Sequence, residues 1–497
     1  MKKIVLSVSL IAFLFACTSN SSNTVTTDSV SNSKSPDSLS SVIDTVSGPV
    51  PNTVMTKEYV YEIGRQMYFW GWPLVNMHNR LLVMRRVPEP GLNGGVVPVA
   101  PVGQLCMMSD YITPEERYVA CPNQDVIYGF GIMKLDENPV VVQVPDFGDR
   151  FWVVQLGNQR TDGIAKLGAM YGSKKGFYLI AGPGWNGSVP AGITQVFHSP
   201  TNIAYVIPRA FLNNTAEDKQ AILPVISQMM AYPLSEYDGK EKTKDWKKVP
   251  SFPDPNKSSG GKEVAFVIPE KFFDEFPEVL GEVPPMRGEE SLYALYHSVL
   301  NAVQRDSTLK PSLVKAAIDV EKELVEPLRQ FKNVGVPMGN YWNTTKNGAA
   351  FGTDYLSRTA AARANIFVNQ QKETIYYNQD LDSTGMMLNG KSSYSITFPK
   401  EMIPAVKGFW SLTVYDQNHF FYVNDQKVYS LGTKNKDLKY NPEGSLTIYF
   451  QHNKPDADKL SNWLPVPADK FGLLLRAYWP EESMLAGYKP PALIKMK

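Results

Sequence analysis

Two groups of polar side chains have the types and spacing for chemistry. The first is Asn123-Gln-Asp125-Val-Ile-Tyr128, just after Cys121-Pro122, with Arg150 further along. A carboxylate, a phenol and a guanidinium that converge in a cleft can act as base, hydroxyl donor and charge stabiliser. Asp125 is the candidate base, Tyr128 or Arg150 the candidate stabiliser, and Asn123 a candidate binding residue. The second group is Trp410, Ser411, Thr413 and Tyr415, followed by Asn424. In a strand, Ser411, Thr413 and Tyr415 share one face, and Trp410, Leu412 and Val414 share the other. Hydroxyls beside aromatics suit recognition of a sugar or polar organic ligand. The alternative is a solvent face carrying a satisfied hydroxyl ladder.

Other patterns lack their required context. Gly182-Pro-Gly184-Trp-Asn-Gly187 has the glycines of a dinucleotide loop, but Ser188-Val-Pro190-Ala-Gly192 cannot open the helix such a loop needs, so a turn between strands is expected. Asp380-Leu-Asp382-Ser-Thr384-Gly385 resembles the front of a calcium loop, but Lys391 stands where an EF-hand needs Glu. Calcium near Asp380 and Asp382 is the weaker alternative to a turn, and no cofactor is expected. The five histidines, His78, His198, His297, His419 and His452, show no metal-ligand spacing, so no metal site is expected. His198 and His419 fall by turns, where either could serve as a base, although an exposed turn histidine is the commoner case.

The elements that position these residues are mainly strands. A helix is expected over 59–84, interrupted at Trp72-Pro73. Strands follow over 118–211, including Pro139-Val-Val-Val-Gln-Val-Pro145 and Arg150-Phe-Trp-Val-Val-Gln-Leu156. Helical periodicity returns over 215–230, opened by Thr215-Ala-Glu-Asp, and over 289–331. The stretch 239–262 reads as an exposed polar loop, and strands resume from 392. The two strand regions repeat each other. Val142-Gln-Val-Pro145 precedes Phe151-Trp152, as Ile396-Thr-Phe-Pro399 precedes Phe409-Trp410, and each region ends in Arg-Ala-aromatic, at Arg209-Ala-Phe211 and Arg476-Ala-Tyr478. The expected fold is mainly β with helical segments: two antiparallel β-sandwich or jelly-roll-like domains, 55–212 and 380–497, joined by a helical middle region, 213–379.

The first residues supply an address. Lys2-Lys3, a short apolar run and Leu14-Phe15-Ala16-Cys17 read as a lipoprotein signal over 1–17, with Cys17 the acylated residue. An ordinary signal peptide is the alternative. Acyl chains anchor through about 0.8 kcal/mol per buried CH₂. The Ser/Thr-rich stretch 18–54 lacks aromatics and apolar periodicity, and is expected to be a disordered tether with a reach of roughly 30–35 Å. Thr18 rather than Asp after Cys17 favours an outer-membrane location. A net charge of +1 gives no reason to expect nucleic acid as a partner. Cys106 and Cys121 are the other cysteines, and an oxidising compartment permits a disulfide between them.

At these motifs the chain resembles a pair of bacterial families, the domains of unknown function numbered 1254 and 1214. The first resemblance runs from about 62 to 211. It rests on Asn123-x-Asp125-x-x-Tyr128, Val144-Pro145-Asp-x-x-x-Arg150-Phe, Gly182-Pro-Gly184-Trp and Ser199-Pro-Thr-Asn202. The second runs from about 380 to 491. It rests on Phe409-Trp-Ser-Leu-Thr-x-Tyr415-Asp, Gly444-Ser-Leu, Asn462-Trp-Leu-Pro465 and Arg476-x-Tyr478-Trp-Pro480. Val126 departs from the usual Thr, and Asn158 from a commoner Asp. The resemblance implies a secreted or periplasmic two-sandwich protein and carries no agreed catalytic residues. The expected function is a membrane-anchored cell-envelope lipoprotein, its lipid in the membrane, that binds a small polar organic or carbohydrate ligand in a sandwich cleft. A hydrolase or lyase acting on such a ligand and a structural envelope protein are the alternatives.

Overall fold

The computed structural model describes residues 48–253 and 263–496. Cys17 with its lipobox, most of the tether, and the end of the 239–262 loop lie outside them.

Helix α1 (Lys57–Met84) starts at Thr56, whose hydroxyl accepts the N–H of Tyr59. The expected interruption at Trp72-Pro73 does not occur, and the helix runs through Pro73. A proline inside a helix leaves the carbonyl four residues earlier without its N–H partner. Here that carbonyl, of Phe69, accepts the Thr359 hydroxyl at 3.0 Å. A tertiary contact thus replaces the missing bond.

The first sandwich pairs two sheets. In one, β1 (Val126–Lys134), β3 (Ile203–Phe211) and β2 (Trp152–Asn158) lie side by side, with Cys106–Met107 beyond β1. The other runs Met230–Pro233, Val140–Val144, Gly176–Ala181, Ile193–His198. Ile127, Trp152, Val154 and Val206 meet Val140, Val142 and Ile180 between them. The opposite face of the first sheet, with Tyr205 and Ile207, packs against α1. Thr215 caps a helix as expected, but the helical turns end at Ile226, and Met230 already belongs to a strand.

Helices α2 (Phe272–Glu282), α3 (Glu290–Arg305) and α4 (Lys310–Val320) form the helical middle. They share a core with α1, through residues such as Trp70, Phe276, Tyr296 and Leu313. Helix α5 (Tyr355–Ala364) follows.

The second sandwich has a six-stranded sheet: Val336–Gly339, Trp342–Thr344, β4 (Thr374–Gln379), β7 (Phe471–Pro480), β5 (Val406–Asp416), β6 (Ser430–Gly432). Its partner sheet runs Trp463–Pro465, Leu446–Gln451, Tyr394–Phe398, Ile494–Lys495. The alternation in β5 holds: Trp410, Leu412 and Val414 face this sandwich core with Ile396, Phe398 and Ile448.

The repeat is visible in the register. In the first sheet Val126, Ile127 and Tyr128 pair with Phe211, Ala210 and Arg209. In the second, Thr374, Ile375 and Tyr376 pair with Tyr478, Ala477 and Arg476. Trp152 pairs with Ala210, and Trp410 with Ala477. Even the departure from antiparallel pairing recurs, since Gly176–Ala181 runs parallel to Ile193–His198, and Leu446–Gln451 parallel to Trp463–Pro465. Tyr128 with Arg209 is therefore the counterpart of Tyr376 with Arg476. The two halves meet at an aromatic cluster of equivalent residues. Phe409 stacks on Phe211 at 4.7 Å and on Tyr478 at 4.3 Å, and Phe151 meets both Phe409 and Tyr478 edge-on at 5.4 Å. Such pairs add about 0.5–1.5 kcal/mol each beyond the area they bury.

Candidate functional site

The structure brings most of the two polar groups together, in a buried seam between the halves. Strand β1 begins at Val126, so Asn123 and Asp125 belong to the loop before it. Asn123 closes a turn by accepting the N–H of Asp125 at 2.9 Å, and donates its amide to Tyr478 Oη at 3.1 Å. Asp125, 1% exposed, meets the Lys434 ammonium at 3.2 Å and accepts the Ser430 hydroxyl at 3.1 Å. Lys434 also donates to Ser430 Oγ at 2.8 Å and to the Gln124 carbonyl at 2.5 Å. Below them, Arg476 donates to Thr413 Oγ1 at 2.9 Å, Tyr415 Oη at 2.6 Å and the Cys121 carbonyl at 2.8 Å. Tyr415 donates its own hydroxyl to the Pro122 carbonyl. Cys121 holds a left-handed backbone (φ 58°), fixed by its N–H to the His419 carbonyl at 2.8 Å and by its carbonyl to Arg476.

The hydroxyl face of β5 is therefore neither solvated nor open. Ser411 and Thr413 have no exposure, and Ser411 Oγ and Asp125 Oδ2 are buried without partners. This geometry locks two sandwiches together. It leaves no room for a substrate at the Asp125 carboxylate.

The remaining residues expected to act sit elsewhere. Trp410 lies in the second core against Phe398. Arg150 forks onto Asp218 (2.5 and 2.9 Å) and the Phe211 carbonyl, pinning the short helix Ala216–Ala221 to the end of β3. Asn424 ties its own turn through Tyr422 and Val428. Cys106 and Cys121 are not bridged. Both are buried free thiols pushed up to about 12 by burial, and Cys121 Sγ points to the Ala364 carbonyl at 3.4 Å. Asp380 accepts the Lys332 N–H, and Asp382 takes the Thr384 and Met386 N–H groups of its turn. Val126 lies in the aromatic cluster between the halves. His198 is exposed. His419 is buried, stacked on Phe331 at 4.1 Å, and pushed down to about 3 by that burial.

Beside the seam is a cavity of about 100 Å³. Its walls come from α1 (Arg80, Val83, Met84), the outer face of the first sheet (Tyr128, Phe130, Ile207, Arg209), the Cys121-Pro122 turn, and Phe266 and Phe367. Most of the lining is apolar. The sheet face is legible in the sequence as alternation. The opposing wall is not, because it is assembled from segments up to about 290 residues apart. Glu116 also lines the cavity. One of its oxygens accepts the N–H groups of Tyr118 and Val119, and the other is buried without a partner. Arg80 stacks on Phe266 at 3.9 Å and is tied to Asn76 and the Tyr118 carbonyl.

Sequence reading also missed one cluster. His78, Glu278 and Glu282 gather across α1 and α2 with their ligand atoms within 4.8 Å. The Glu282 carboxylate is already engaged by His78 Nδ1 (2.8 Å), Gln159 Nε2 (3.1 Å) and Lys134 Nζ (3.2 Å), as suits a buried ion-pair network.

Two solved structures resemble this fold. The VPA0106 protein from Vibrio parahaemolyticus shares 20% identity, with a TM-score of 0.56 over 88% of this chain and 100% of that one. A putative uncharacterised protein from Burkholderia cenocepacia shares 9%, with a TM-score of 0.42 over 88% and 94%. The first likeness concerns the fold alone. No curated protein matches. Residues 102–233 match the family described as protein of unknown function DUF1254, and residues 373–482 match protein of unknown function DUF1214. The DUF1254 match thus precedes the DUF1214 match along the chain, in the order its motifs imply.

Proposed function

We propose that this chain is a cell-envelope lipoprotein, held at the outer membrane through Cys17, whose folded body binds a small organic molecule in the cavity beside the seam. The observation that carries the binding reading is the cavity itself: about 100 Å³, largely apolar, with a few polar groups at its wall. A mainly apolar lining with a few convergent polar groups is the common character of ligand pockets. The polar faces first associated with a ligand are engaged between the halves, which moves the binding site from the β5 hydroxyls to the α1–sheet cavity. It also favours a mainly apolar molecule over a sugar. The buried, ion-paired Asp125 gives the hydrolase or lyase alternative no accessible base. A lipid mass on Cys17 of the mature protein is the check on the anchor.

Filling the cavity tests the binding. Val83→Trp and Ile207→Trp enter from opposite walls. Thermal unfolding of the wild type against a panel of small organic acids, alcohols, amines and disaccharides should show ligand-dependent stabilisation. A ligand at a hundredfold excess over its Kd adds about 2.7 kcal/mol. Both fillings should abolish the response. A wild type that responds to nothing in the panel would favour a structural envelope protein. A response that survives both fillings would place binding elsewhere.

A further inference from the structure

The repeat supplies an internal control for one residue of the cavity wall. Arg209 and Arg476 occupy equivalent positions, each opposite a tyrosine in register. Arg476 gives Nη1 to Thr413 and Nη2 to Tyr415 and the Cys121 carbonyl. Arg209 is 5% exposed and gives one nitrogen, Nη2, to the Phe367 carbonyl at 2.7 Å. Its Nε and Nη1 are buried without partners. The equivalents of Thr413 and Tyr415 are Gln155, whose amide donates to Tyr205 Oη and the Val368 carbonyl, and Gly157, which has no side chain, so neither meets Arg209 as their counterparts meet Arg476. A buried guanidinium with unmade hydrogen bonds is costly, and the ordinary remedy is an anion.

Nearby groups leave the place open. Glu373 is the carboxylate whose charge Arg209 feels, but its oxygens are held by Asn369 at 2.8 Å and Tyr171 at 3.0 Å. Tyr128 lines the cavity with its ring under the Arg209 guanidinium at 5.5 Å. Glu116 also lines the cavity. Burial pushes its carboxyl up to about 7, so near pH 6 it is largely neutral and does not repel an anion.

Building on the cavity as the binding site, we infer that its ligand is an amphiphilic carboxylate: an apolar chain or ring along the α1–sheet walls, with its single carboxylate on the free edge of Arg209. A carboxylate takes two nitrogens of one guanidinium at once, and both such forks include Nη2; the Phe367 carbonyl occupies one Nη2 N–H, so the other can complete a fork with Nε or with Nη1.

Octanoate and 1-octanol are matched probes, measured by calorimetry near pH 6 on the full folded chain. Octanoate should bind roughly ten- to a hundredfold more tightly than octanol. Arg209→Gln should remove that preference while leaving octanol binding intact, and Arg209→Lys should restore part of it. If Arg209→Gln fails to fold, the octanoate-to-octanol ratio in the wild type and in Arg209→Lys decides. Equal binding of the two probes, blocked by Ile207→Trp, would overturn the carboxylate while leaving the cavity as a binding site. A preference that persists without Arg209 would overturn the role of that residue. No binding of either probe, in a protein whose cavity fillings also change nothing, would overturn both this inference and the binding reading beneath it.

Discussion

Replacing Lys434 by methionine should destabilise the protein by about 3–5 kcal/mol, because it leaves the Asp125 carboxylate buried and unpaired. Asp125 is 1% exposed, its Oδ2 has no partner, and Ser430 is its other hydrogen-bond donor. Methionine keeps the length of the lysine stem, so packing changes little and the lost charge dominates. Asp125→Asn added to Lys434→Met should recover much of the loss, since it removes the orphaned charge. Unfolding free energies of the four proteins, measured under one set of conditions, give the cycle. A single-variant loss below about 1 kcal/mol, or a double variant no better than Lys434→Met, would contradict the ion pair as a lock between the sandwiches.

Glu116→Gln should change how stability depends on pH. Burial is the main influence on this carboxyl and pushes it up to about 7, against the opposing pull of the Val119 and Tyr118 N–H groups and the charges of Arg117 and Arg80. A carboxyl raised in the folded state binds more protons folded than unfolded between its two pKa values. Its stabilising contribution is therefore complete below the unfolded value of about 4.5 and is lost as pH rises through about 7. The difference corresponds to roughly 3 kcal/mol. Glutamine mimics the protonated acid and does not titrate. The variant should gain on the wild type by roughly that amount between pH 4.5 and pH 8. Parallel stability profiles for the two proteins would contradict a buried, ionising Glu116.

The repeat was the most legible part of the fold. Phe-Trp and Arg-Ala-aromatic survive in both halves because they fill equivalent positions in paired strands. The alternation of β5 was equally clear, and its apolar side does face the second core. What covers the hydroxyl side was not, since the Cys121–Asp125 loop lies almost 300 residues away and nothing local marks it as a partner. Pro73 reads as a helix breaker because the Thr359 hydroxyl that replaces its missing bond comes from another helix. Cys106 and Cys121 permit a disulfide by their count and compartment, but pairing depends on how Cα atoms approach, which spacing does not encode. The unmet bonds of Arg209 have no sequence signature either. They emerge by comparison with Arg476, once the register of the repeat is known.

The most direct test is a crystal structure of the full chain grown with octanoate near pH 6. The cavity reading requires density for the alkyl chain between α1 and the outer face of the first sheet, with the carboxylate within hydrogen-bond distance of Arg209 Nε or Nη1. An empty cavity at saturating octanoate, or octanoate lodged instead against Ser411 and Thr413, would contradict it.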